Sequence, residues 1–148
     1  MKKAFIILGI VLLASTAAFA VLIPDPLFER YHNIECWGMF ADTLVGDAQS
    51  YYPEPPDPPD YLQDMRDELW DRGGEMYKLW EYADEGDVEG FNNQARVVRS
   101  LIVDMQLAFM SEGRNAYMQG WSSRGIRDDF NIAQTGLIAC LEGGGEPT

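Results

Sequence analysis

From residue 25 onward, apolar side chains recur at steps of three and four, with no alternating β-branched run and no Asn-Gly hairpin signal. The pattern predicts an all-α chain. A first helix starts at Asp25-Pro26, an N-cap aspartate followed by a proline suited to the first turn, and runs to about Ser50. Its inward positions are Leu27, Tyr31, Ile34, Trp37, Ala41, Leu44 and Ala48, spaced 4, 3, 3, 4, 3 and 4. The opposite side carries Phe28, His32, Cys36 and Met39, so this helix is apolar on two faces and the second must meet another surface.

The segment YYPEPPDPPD, residues 51–60, ends the first helix, because its five prolines favour a stiff, extended connector. A second helix follows, with Asp60 as cap, Gln63 in capping-box position, and Leu62, Met65, Leu69, Met76, Trp80 and Ala83 inward. Gly73-Gly74 interrupts it, at a cost of roughly 1 kcal/mol per glycine relative to alanine, which points to a kink or a close backbone approach. Gly86-Asp87 closes that helix and caps the third. The third is the longest, with Val88, Phe91, Ala95, Val98, Ile102, Met105 and Phe109 in heptad order. A fourth, about Ile126 to Leu141, places Ile126, Phe130, Ala133 and Leu137 inward before a flexible tail over 143–148. The expected architecture is a four-helix up-down-up-down bundle over residues 21–142.

The residues before the bundle change the picture of where it works. Lys2 and Lys3 precede a charge-free apolar run that ends in Ala18-Phe19-Ala20, the small-x-small form of a signal-peptidase site, so residues 1–20 read as a signal peptide. The alternative is an uncleaved transmembrane anchor over 4–23, which would hold the bundle outside the inner membrane. Both readings put the bundle in an extracytoplasmic compartment, the periplasm or the cell exterior. There the two cysteines are expected to form one disulfide, Cys36–Cys140, joining the first helix to the last.

Charge then narrows the partners. The formal net charge is −13, and loss of Lys2 and Lys3 with a leader takes it to −15, which repels nucleic acid and anionic lipid. A membrane partner is expected only if the N-terminal segment is retained. Asp57, Asp60, Asp64, Asp67 and Asp71 recur at steps of 3, 4, 3 and 4, a solvated stripe without the oxygen ligands of a calcium loop.

Candidate chemistry is sparse. Glu29 and His32 fit the Glu-x-x-His spacing of di-iron bundles, but the chain has one histidine and such a site needs two. Haem held by His32 with Met65, Met76 or Met105 is a further geometry, without the Cys-x-x-Cys-His of covalent attachment. Nucleophilic catalysis has little support, because a Ser-His-Asp triad would have to use His32 and no Gly-x-Ser-x-Gly elbow occurs. No catalytic residue, metal or cofactor is therefore assigned.

The stronger signal is a second apolar stripe on the third helix, Val103, Leu107, Met110, Met118 and Trp121 with Arg114 among them. With Phe28 and Met39 it forms the expected partner interface. The sequence thus reads as a non-catalytic, acidic, exported bundle acting by protein–protein binding or assembly, either an accessory subunit of a cell-envelope complex or a homo-oligomer. The alternative is a periplasmic carrier of a small apolar ligand or haem, with Trp70, Tyr77 and Trp80 around the Gly73-Gly74 gap as its pocket.

Overall fold

A computed structural model of the chain describes residues 25–53 and 56–143. The leader over 1–20, the anchor alternative over 4–23 and the tail beyond 143 lie outside the described residues. Five helices follow one another: α1 (Pro26–Ser50), α2 (Asp60–Trp70), α3 (Glu75–Glu85), α4 (Val88–Met118) and α5 (Ser123–Glu142). No strand occurs among the described residues, and none of these helices is long and apolar enough to cross a membrane.

The local signals act where they stand in the chain. Asp25 accepts from the Leu27 amide at 2.8 Å and Asp87 from the Gly90 amide at 2.9 Å, so both helix starts are capped as expected. The glycine pair divides the predicted second helix into α2 and α3. Gly73 has φ +82°, which side chains on other L-residues oppose. At Gly74 a Cβ would lie 2.7 Å from the Glu68 carbonyl oxygen. Two expectations shift. Asp60 opens α2 without capping it, because Pro59 occupies the cap position and Gln63 donates to Asp67 instead. Ser122, accepting from the Gly125 amide, caps α5, which starts at Ser123, three residues ahead of Ile126.

α1 is the central rod and packs on all four others, most extensively on α4 and then α5. Along α4 the contacts progress from Arg30 with Asn92 to Tyr51 with Phe109 and Tyr52 with Glu112. Along α2, Arg66 chelates the Asp42 carboxylate through Nε at 2.8 Å and Nη2 at 3.1 Å, and the Trp70 ring lies over the backbone of Gly38. Along α5, Cys140 joins Cys36, Phe130 meets Phe40, and Asp129 accepts from Tyr51.

The heptad positions of α4 are buried from Phe91 to Phe109, with Phe91, Val98 and Met105 fully so. Val88 is an exception at 54% exposed, since it stands at the first residue of the helix beyond the reach of its neighbours. On α1, Trp37 is 40% exposed although its spacing placed it inward, while Cys36, Phe40 and Val45 are buried. On α3, Leu79 is buried in place of Trp80. Both departures have one cause: a helix touched by several neighbours buries the positions those neighbours reach, which need not follow one stripe.

Candidate functional site

Three constellations are built on this frame. The first surrounds the disulfide. Cys36 and Cys140, 104 residues apart in sequence, have Cα atoms 5.7 Å apart and are bonded to each other. His32, one turn before Cys36, brings Nε2 to 3.1 Å from the Cys140 carbonyl oxygen and 3.5 Å from the Cys36 sulfur. A carbonyl oxygen only accepts, so Nε2 carries the proton and donates to it. The His32, Cys36 and Cys140 ligand atoms lie within 4.8 Å of one another. The two sulfurs are committed to a covalent bond, however, and a metal needs them as thiolates. Met76 and Met105 are buried in the hydrophobic core, and the groups beside His32 Nε2 are the Cys140 carbonyl oxygen and the Cys36 sulfur.

The second constellation was not foreseen. Glu112 is 5% exposed on α4, and its carboxylate accepts from the hydroxyls of both Tyr52 and Tyr61. Tyr52 stands near the start of the proline-rich connector and Tyr61 just after it, so one buried acid ties both of its ends to the longest helix. The hydrogen bond to Glu112, with burial and the nearby negative charge, pushes the Tyr52 phenol up to about 12. Burial, then the same carboxylate, raises Tyr61 well above the usual phenol range. Every buried side-chain polar atom among the described residues has a partner. The available sequence signal was position: Glu112 follows Phe109 by three and precedes Ala116 by four, in line with the buried face of α4.

Close by, Tyr51 donates to Asp129 at 2.8 Å. Asp47 has its carboxyl raised from 3.8 to about 6 by burial and then by the Asp129 charge.

The third constellation is apolar surface. On α4, Val103, Leu107, Met110 and Met118 are 53%, 55%, 64% and 77% exposed, with Arg114 also exposed and Trp121 just beyond the helix end. Of the expected interface residues, Phe28 and Met39 on α1 are exposed too. Met39 is two residues after Trp37, about 200° around the helix, and Phe28 is nine before it, about 180° around, and Trp37 lines a groove together with Val103. Trp121 packs on Tyr51, with ring centroids 5.2 Å apart.

Beside the strip runs a groove of about 400 Å³ between α1 and α4. Arg30, Asn33, Ile34 and Trp37 form its α1 wall, and Arg99, Ile102, Val103 and Gln106 its α4 wall. It is open because α5 leans on α1 and reaches α4 near its own N-terminal end, through Phe130 on Phe109 and Ile126 against Gly113. The residues expected to form a pocket elsewhere, Trp70, Tyr77 and Trp80, are each at least 36% exposed. Tyr77 and Trp80 on α3 have ring centroids 6.2 Å apart, tilted by 30°, while Trp70 lies over Gly38.

No family model, curated protein or solved structure matches the chain.

Proposed function

We propose that this is an exported, non-catalytic, up-down-up-down helical bundle that acts by protein–protein binding, with self-association through the outer face of α4. The observation that carries the reading is the run of Val103, Leu107, Met110 and Met118, all more than half exposed on one helix side. Contiguous apolar surface with Met and Arg among its residues is the composition of contact sites. A second copy offers complementary chemistry as well, since Asp57, Asp60, Asp64 and Asp71 are exposed and Arg114 lies within the strip.

The disulfide supports an oxidising, extracytoplasmic compartment, in keeping with the leader read from the N-terminal sequence. Alternation of the rods is supported by the order of contacts along α1, which rises along α4 and falls along α2 and α5.

Sedimentation of the mature chain across a concentration series tests the reading. An oligomer that L107D/M110D converts to monomer, with helical circular dichroism unchanged, is the expected result. A wild-type chain that stays monomeric throughout, or an oligomer indifferent to the two substitutions, overturns it.

A further inference from the structure

The groove between α1 and α4 has features that an incidental crevice lacks. Its floor and walls are Ile34, Trp37, Ile102 and Val103, and about 400 Å³ is the scale of a small-molecule site. Two arginines, Arg30 and Arg99, are among its lining residues. In a chain with 24 acidic residues against 11 lysines and arginines, neither has a carboxylate partner among the described residues.

Arg30 is also held in place without being neutralised. Its guanidinium lies 4.9 Å from the Phe91 ring centroid, and Nη2 donates to the Asn92 side-chain oxygen at 2.7 Å. Both partners are uncharged, so these contacts fix the guanidinium of a groove-lining residue without neutralising it, and a planar guanidinium fixed this way is pre-organised for a carboxylate or sulfonate.

We propose that this groove binds a small organic acid, an aromatic or aliphatic body seated on Trp37, Ile34, Ile102 and Val103 with its anionic head on Arg30 and Arg99. This goes beyond the self-association reading and does not depend on it. It also places a ligand site away from Trp70, Tyr77 and Trp80.

The discriminating experiment uses two dyes of the same aromatic skeleton, 1-anilinonaphthalene-8-sulfonate and its uncharged counterpart N-phenyl-1-naphthylamine, titrated into the mature disulfide-bonded chain. The sulfonate is expected to bind one-to-one and tighter than the neutral dye, with the Trp37 indole N–H as the most shifted of the tryptophan resonances. R30Q/R99Q should weaken the sulfonate by about tenfold or more, the scale of a lost charged hydrogen bond, and leave the neutral dye within about twofold. Should the double variant fail to fold, R99Q alone carries the test, since Arg99 is exposed and makes no hydrogen bond or ion pair among the described residues. Dodecanoate is expected to displace the sulfonate dye, showing that the acid head and apolar body are what the groove reads. Equal affinity for the two dyes, sulfonate binding unmoved by R99Q, no displacement by dodecanoate, or shifts at other tryptophans in place of Trp37 would each overturn the assignment.

Discussion

α4 has two apolar faces, and they meet different fates. One carries Phe91, Val98 and Met105 at full burial beneath α1, α2 and α3. The other carries Val103, Leu107 and Met110 at more than half exposure. Residue type does not separate them, since valine and methionine stand on both. Coverage separates them: three helices lean on the first face, whereas α5 settles on α1 and leaves the second open. An apolar helix face therefore reports a need for contact, and which contact is supplied within the chain depends on where the other helices dock.

The largest effect that tests this contrast is on the covered face. Phe91→Ala should lower unfolding stability by about 3–5 kcal/mol in urea titration, the cost of removing a buried aromatic ring. Leu107→Ala should stay within about 0.5 kcal/mol. A Leu107→Ala cost approaching the Phe91→Ala cost would mean that the outer face is covered in solution, and a concentration-dependent unfolding midpoint would then identify a second copy as the cover.

Next comes the link that decides where α5 sits. Replacing Cys36 and Cys140 together by alanine should cost about 2–5 kcal/mol, since the bridge closes a very long loop. α5 should then exchange its amides faster than α4 does. Equal protection of the two helices in the variant would show that α5 is held by its packing on α1 alone.

The Glu112 clasp is the next test. Glu112→Ala leaves two tyrosine hydroxyls without their acceptor and should cost about 1–3 kcal/mol, with faster proteolysis near the prolines as the local readout. Glu112→Gln, which keeps an acceptor oxygen, should lose less.

The smallest effects are in pH dependence. Asp47 keeps its proton in the folded chain up to about 6, whereas its ordinary value is 3.8. The folded state thus binds more protons across that window, so this group's stabilising contribution is present below pH 3.8 and falls away as pH rises through about 6. Asp47→Asn should flatten that part of the stability profile. Tyr52, raised from 10 to about 12, acts in the same sense at alkaline pH. Its contribution is present below pH 10 and lost as pH rises through about 12, and Tyr52→Phe should remove that loss.

How much of this was legible in advance depended on the distance over which each feature is decided. The caps at Asp25 and Asp87 and the break at Gly73-Gly74 follow from a few neighbouring residues, and each lies where the pattern placed it. The Cys36–Cys140 pair was legible for a different reason, because two cysteines leave a single intramolecular pairing. By contrast, the burial of Glu112 requires the connector to fold back so that Tyr52 and Tyr61 converge on it from positions 60 and 51 residues away. Trp37 and Leu79 were misplaced for the same reason, since spacing alone cannot say which neighbour covers which flank.

What the amino-acid order determined by itself was the all-helical class, the caps at Asp25 and Asp87, the break at Gly73-Gly74 and the covalent tie, because backbone hydrogen bonding and capping act within a turn or two. Only the tertiary structure decided that α5 would rest on α1, that the second face of α4 would stay open, and that Arg30 and Arg99 would share one groove. Those outcomes depend on side chains far apart in sequence competing for the same limited area on α1, and that competition is settled only when the whole chain packs.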